Sequence, residues 1–540
     1  MPGTRNLLVL GLDAASPSLL QAWAGDGTLP NIAKLMGDGL VGHTLNNLGF
    51  EGSTWPSFAT GLNPAGHGFY WQEQLRSGTY RTRETTPADF AHREVLWELL
   101  SAAGHRVVAL DVPLARRSPG LNGIQRVEWG GHDFVYGFQT TPPELRESIL
   151  RTTGAYPVEG RCDVPSRSLP QYREFADLLI KAAGVGSTLA RDTLAREPWD
   201  FAIQVFGESH CAGHQLWHFH DPEHPAYDPA ITAQTGNLIR EVYVALDAAV
   251  GDVLAVIEPG TTVVLLTLHG MSHTWGSSIL LPEILLRLGV MHRASPESPL
   301  TRQGKGRLVR GLRSVYHAIP EVLRRPVYQW RQRLNQRVGR GSPVNIDPAR
   351  SRCFNIHLGR SCSGIRLNLR DREPLGLLDP GARADGFCEQ LSRDLLELTQ
   401  PGSGRPLVRA VHRTADLFRG AHLHELPDLI VEWNPEIPLG TSVAGNGAGS
   451  RVRATSPKVG MLEQVNTYCR TGDHQLGGMF IARGPGIRPG QLGRVVSNLD
   501  LAPTFAQMMG CEMTGVDGQP IPELLAGLPA ALPATGERAG

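Results

Sequence analysis

Lysine is scarce in this chain. Only Lys34, Lys181, Lys305 and Lys458 occur among 52 basic residues, so arginine carries nearly all the positive charge. We attribute that bias to genome composition rather than to function. No charge of one sign is in excess either. Fifty-two Lys and Arg balance 52 Asp and Glu, which removes any whole-chain electrostatic case for binding nucleic acid or an anionic membrane. Cysteines number seven, an odd count, and are scattered without a CxxC pair. That excludes a disulfide framework and a CxxC zinc motif, and makes a reduced compartment the simplest expectation. No apolar run is long enough and free enough of charge to span a bilayer. The first run, Leu7 to Leu12, is too short for the core and cleavage region of a signal peptide and ends at Asp13. The expectation is a soluble cytoplasmic protein with no nucleic-acid partner and no stable membrane insertion.

What is present is enough chain for a large core, 540 residues. Short apolar runs alternate with helical stretches: Leu7 to Leu12, Val107 to Leu110, Phe201 to Phe206, Thr262 to Leu266, Leu429 to Val431 and Phe480 to Ala482. Continuous apolar runs between helices predict an α/β fold with a mostly parallel central sheet covered on both faces. Ligands in such folds sit at the carboxyl ends of the strands. Asp13, the segment Glu208 to His214, His269 and the loop near Asp473 all occupy or adjoin such ends.

The layout divides into an α/β core over 1–290, a basic insertion or cap over 291–364, a second part of the core over 365–525, and a disordered tail over 526–540. Residues 138–190, rich in Pro and Arg, read as a lid. Residues 302–340 hold eleven Lys or Arg against one acid, Glu321, and Val322 to Val338 reads as a basic amphipathic helix. That helix is a solvated excursion, a lid offering arginines to an anion, or a surface for a membrane or partner.

Several polar residues stand where chemistry would be expected. Asp13 follows a buried strand and is either a helix N-cap or a ligand. Thr54 and Ser53 precede a helix and are either caps or nucleophiles. If a helix begins near His210, then His210, His214 and His218 share one face. Two histidines at i and i+4 after a sheet strand favour metal binding.

The segments around them resemble the alkaline phosphatase superfamily, and within it the type I phosphodiesterase/nucleotide pyrophosphatase family. The match covers Gly11-Leu12-Asp13, Leu29-Pro30-Asn31, Phe58-Ala59-Thr60-Gly61-Leu62-Asn63-Pro64, Gly213-His214, His269-Gly270-Met271, Ile365 to Gly376, and Gly472-Asp473-His474 followed by Gly484-Pro485-Gly486. The resemblance implies an alkaline-phosphatase-like fold with an inserted cap. It also implies a metal-dependent hydrolase of phosphate esters, acting on diesters or nucleotide pyrophosphate bonds.

On this resemblance Asp13 and His269 would serve one ion, and His210, His214 and His474 the other. The histidine-rich set points to zinc, with manganese as the alternative. The nucleophile would be Thr54 in Thr54-Trp55-Pro56-Ser57, with Ser53 next. Counting back from Thr60 without a gap puts Glu51 there instead, as a metal ligand or base. Arg366 and Arg372 would bind substrate phosphate or brace the insertion.

The sequence departs from the family pattern twice. His210 replaces an aspartate, and Leu268 replaces a metal-binding aspartate, so that site would bind weakly, use a substitute such as Glu51 or His273, or be empty. A single-metal hydrolase, or a group transferase acting on another ester, therefore stays open. So does a catalytically silent homologue that binds a ligand or partner. No C/S-x-P-S-R sequence supports a sulfatase.

Overall fold

The computed structural model describes residues 6–90, 94–132, 134–158, 162, 167–294, 344–439, 450–466, 468 and 470–526. The basic stretch 302–340, with its expected helix, and the tail from 527 lie outside the described residues. A nine-stranded sheet forms the centre, in the order Gly490–Ser497, Leu40–Leu45, Gly477–Arg483, Thr262–Thr267, Leu7–Leu12, Phe201–Phe206, Val107–Leu110, Gly123–Val127 and Gln139–Thr141. The five strands from Thr262–Thr267 to Gly123–Val127 pair in parallel.

Those parallel strands are buried on both faces, which is why most of them read as unbroken apolar runs. Leu8, Leu10 and Leu12 pack into one apolar cluster, and Leu7 and Val9 into another on the opposite face. Two of the expected parallel runs behave differently. Gly477–Arg483 enters the sheet antiparallel to both neighbours. Leu429–Trp433 leaves it altogether and joins a four-stranded antiparallel sheet with Cys353–His357, Cys362–Leu367 and Val408–Arg413. An apolar run alone does not specify strand direction or sheet.

The small sheet and helix Ala382–Leu396 share a third apolar cluster. Strand Cys362–Leu367 crosses the expected boundary at 364/365, so the smaller unit draws on both sides of it. The C-terminal part of the expected lid, from 169, is absorbed into the core as helix Leu169–Arg196, which buries Tyr172, Phe175, Ala176, Leu179, Ala183, Ala190 and Leu194. Their spacing of three, four and seven makes one apolar stripe, and it packs beside helix Leu238–Leu254. No described helix is long and apolar enough to cross a membrane. Cys162 and Cys211, 49 residues apart, are joined by a disulfide, while Cys353, Cys362, Cys388 and Cys511 are free.

Candidate functional site

Asp13 leaves the central strand Leu7–Leu12, and Ala14 then turns the chain with φ of 52°. A non-glycine residue in the left-handed region is uncommon, and such strain collects at functional turns. The Asp13 carboxylate is buried and fully engaged. Trp55 Nε1 donates to Oδ1 at 2.8 Å, and Oδ2 lies 2.7 Å from His210 Nδ1. Burial works against the ionised carboxylate. The charge and hydrogen bond of His210, with help from His269 and Trp55, outweigh it and hold the group well below the usual aspartate range.

His210 and His214 sit one turn apart on helix Glu208–Leu216, which begins where strand Phe201–Phe206 ends. Ser209 Oγ donates to the Asp13 carbonyl at 2.7 Å and ties that helix to the central strand. His474 arrives on strand Gly472–Gln475, which pairs with Gly270–His273 so that Met271 faces His474 and Ser272 faces Asp473. That pairing brings the His269 ring to 4.6 Å from the His474 ring. The structure therefore brings Asp13, His210, His214, His269 and His474 together. His218 does not join them. The helix tightens after Leu216, and His218 Nδ1 lies 3.1 Å from Thr471 Oγ1 instead.

The ring nitrogens show a common orientation. His214 Nδ1 donates to the Gly472 carbonyl at 2.8 Å, His210 Nδ1 faces Asp13, and His474 Nδ1 faces Glu51 Oε2 at 3.3 Å. Each Nε2 is then turned inward. His210 Nε2 lies 3.0 Å from His214 Nε2 and 3.0 Å from His474 Nε2. Imidazoles whose Nδ1 is held by a carbonyl or carboxylate and whose Nε2 converge are the usual arrangement of metal-binding histidines. Burial and the positive charge of Arg470 and neighbouring histidines push His214 well below its ordinary pKa; burial, led by His269 among the charges, does the same to His474. Neutral imidazole is the form that binds metal.

One further observation fits a divalent cation: Asp473 Oδ2 is buried without a hydrogen-bond partner. Arg470 Nη1 donates to His214 Nε2 at 2.8 Å, a contact that an ion on this nitrogen would displace. Donor atoms of His132, His210 and His214 lie within 4.8 Å of one another, as do those of Glu51, Asp473 and His474. Burial pushes Asp473 up to about 6, against the pull of Arg360 and Arg470. Burial and the charge of Asp473 raise Glu51 well above the usual glutamate range.

His132 and Arg470 escaped the sequence reading. The His132 ring stacks on His210 with centroids 4.3 Å apart. The signal for it was a histidine after Trp129-Gly130-Gly131, beyond the carboxyl end of strand Gly123–Val127. Both residues line a cavity of about 260 Å³ with Glu51, His210, His269 and His474, and with the apolar groups Trp71, Phe134, Pro113 and Leu114.

Several of the expected side chains are engaged away from the cavity. Thr54 does not present its hydroxyl to the cavity: Oγ1 donates to the Glu51 carbonyl at 2.8 Å and accepts from Asn46 Nδ2. Ser53 Oγ likewise donates to the Phe50 carbonyl at 2.9 Å. In this turn, Glu51–Ser53 followed by helix Thr54–Thr60, the residue whose functional group lines the cavity is Glu51. Arg366 and Arg372, expected either to hold phosphate or to brace the insertion, make the contacts of braces. Arg366 Nε is 2.7 Å from Glu373 Oε1 and its Nη1 donates to the His424 and Leu426 carbonyls, while Arg372 pairs with Asp428 at 2.7 Å. Leu268 is fully buried in the same apolar cluster as Trp55, Leu266 and Phe480. His273 does not replace the lost aspartate, because its Nδ1 faces Asp221 at 3.5 Å and its Nε2 the Pro435 carbonyl at 3.1 Å.

A mostly parallel sheet with a buried histidine–carboxylate cluster at its carboxyl edge defines an α/β protein with a metal-capable site. Residues 7–446 match type I phosphodiesterase / nucleotide pyrophosphatase, and the chain belongs to that family, which is a family of phosphoryl hydrolases. No curated protein matches the sequence. Among solved structures, murine ectonucleotide pyrophosphatase/phosphodiesterase 5 is similar at 11% identity and TM-score 0.45, over 95% of this chain and 98% of that one. Phosphonoacetate hydrolase from Sinorhizobium meliloti 1021, in complex with phosphonoformate, is similar at 12% identity and TM-score 0.46, over 92% and 94%.

Proposed function

We propose that the chain is a zinc-dependent hydrolase of phosphate esters, acting on phosphodiester or nucleotide pyrophosphate bonds. The observation that carries this reading is the inward convergence of His210, His214 and His474 Nε2. These three residues would hold one ion. Of the other expected set, Asp13 is held by Trp55 and His210, and position 268 has no donor atom. A bound zinc ion supplies positive charge to the phosphoryl oxygens and so stabilises their developing charge.

The chain's own groups do the rest. Asp13 fixes His210 through Nδ1, and Gly472 fixes His214 in the same way. Arg470 offers a planar guanidinium suited to a phosphate. Trp71, Phe134, Pro113 and Leu114 give the ester substituent an apolar wall that excludes water.

The test is a screen of nitrophenyl monoesters and diesters with stripped protein, reloaded with zinc or with manganese. Diester cleavage restored best by zinc is expected. Restoration by manganese alone would reassign the ion. Transfer to an added alcohol without hydrolysis would favour a transferase, and inertness of every loaded form would favour a silent homologue.

A further inference from the structure

Cys211 lies between His210 and His214 on helix Glu208–Leu216, and its sulfur is bonded to that of Cys162. A third donor stands against the pair. His132 Nδ1 is 3.4 Å from Cys211 Sγ, and the donor atoms of His132, Cys162 and Cys211 all lie within 4.8 Å of one another. In a tetrahedral zinc site, with Zn–S about 2.3 Å and Zn–N about 2.0 Å, sulfur and nitrogen stand about 3.5 Å apart. The two cysteines are also held together by more than their own bond. The buried Arg167 donates from Nη2 to the Cys162 carbonyl at 3.3 Å and from Nη1 to Gln215 Oε1, one turn beyond Cys211 on the same helix. Ser209 Oγ ties that helix to the Asp13 carbonyl. Cutting the S–S bond therefore leaves both sulfurs beside His132.

The geometry points to a second zinc site, formed by His132, Cys162 and Cys211 once the disulfide is reduced. It adjoins the histidine cluster, because the His132 ring stacks on His210 and lines the same cavity. A dithiol reductant supplies two electrons and two protons. The protein disulfide becomes two thiols, and the reductant becomes a disulfide in turn. Zinc then forms two Zn–S bonds and one Zn–N bond, and the two thiol protons go to solvent. In the oxidised chain Arg470 Nη2 donates to His132 Nε2 at 3.1 Å, so a neutral His132 carries its proton at Nδ1. Zinc at Nδ1 moves that proton to Nε2 and displaces Arg470. Thiolate donors select zinc over manganese, and three protein ligands leave the ion one open position. The site stands apart from the phosphate-ester reading. The disulfide-bonded chain offers zinc only the histidine cluster.

The experiment is calorimetric titration of zinc into the stripped full chain in two forms: disulfide-bonded, and reduced with a dithiol that is then removed under argon. One equivalent is expected for the first form and two for the second. Cobalt in place of zinc is expected to give the reduced form a thiolate-to-cobalt charge-transfer band that the oxidised form does not show. Cys162→Ser/Cys211→Ser and His132→Ala are each expected to lose the reduction-dependent equivalent and keep the other. His132→Ala leaves the disulfide intact, so it tests the site even if the double variant does not fold. Equal stoichiometry in the two forms, or a second equivalent without the cobalt band, would overturn the inference. So would loss of the oxidised form's equivalent in His132→Ala, which would assign this imidazole to the histidine cluster. A reduced chain that binds one ion with the cobalt band, and an oxidised chain that binds none, would uphold this site and remove the zinc reading of the histidine cluster.

Discussion

The indole Nε1 of Trp55 donates a 2.8 Å hydrogen bond to Oδ1 of Asp13, the carboxylate that the family pattern would give to a metal ion. The indole packs in the same apolar cluster as Leu268, which stands where the pattern has a second carboxylate. One residue therefore occupies the ligand and its neighbour removes another. Trp55→Phe leaves Asp13 Oδ1 without its donor. It is expected to cost about 1–3 kcal/mol of stability, the penalty for an unsatisfied buried acceptor, as measured by denaturant midpoint. An unchanged midpoint would mean that this hydrogen bond contributes nothing.

Leu268→Asp tests the same plug from the other side. With Trp55 in place, the new carboxylate enters an apolar cluster with no cation to meet it. The expected outcome is a stability loss of several kcal/mol and no gain in zinc content. In the double variant Trp55→Phe/Leu268→Asp, Asp13 Oδ1 is released and a second carboxylate is supplied, so a second zinc equivalent is expected. Metal analysis after dialysis checks both. A second equivalent in the single variant would show that Trp55 is no barrier.

Arg366 is fully buried against Glu373, and the pair sits far from any solvent that would screen it. Arg366→Ala leaves the Glu373 carboxylate in place with only the half-buried Arg372 beside it. The expected loss is about 3–5 kcal/mol, the usual cost of breaking a buried pair from one side. Thermal unfolding measures it. KM for a diester is expected to stay unchanged, and a raised KM with unchanged stability would restore Arg366 to the substrate.

Stability should fall on mild acidification. Burial, with the charge of His224, lowers His218 to about 3, and burial lowers His224 to about 4. In both cases the unfolded chain binds protons at a higher pH than the folded one. Stability is therefore complete above the unfolded value near 6.5 and is lost as pH falls toward the folded values. In that window each histidine removes at most about 1.4 kcal/mol per pH unit. Melting temperature followed from pH 7 to 4 checks this, and His218→Gln is expected to flatten the profile. A profile equally steep in the variant would assign the loss to other groups.

Much of the sheet could be read from the sequence because strands buried on both faces are written as apolar runs, as in Leu7–Leu12 and Phe201–Phe206. His210, His214 and His269 were legible because each follows a strand end, where such folds place their ligands, and His474 through the resemblance around Gly472-Asp473-His474. The side chain that faces the cavity near residue 51 was not. A register ambiguity of one helical turn separated Glu51 from Thr54, and a short turn of tighter helix decided which of them points inward. The Trp55–Asp13 bond links residues 42 apart and leaves no local pattern. Arg366 and Arg372 look alike as phosphate ligands or braces until Glu373 and Asp428 are seen beside them. The stretch 138–190 looked like a lid from composition, yet the apolar stripe on Leu169–Arg196 makes its C-terminal part a core layer.

The central claim is that the inward-facing imidazoles bind a catalytic cation. Calorimetric titration of zinc into the stripped full chain tests it most directly. The account predicts a single equivalent in the wild type, lost in His214→Ala and in His474→Ala, with both variants folded by circular dichroism. No binding to the wild type, or undiminished binding to the double variant His214→Ala/His474→Ala, would contradict it.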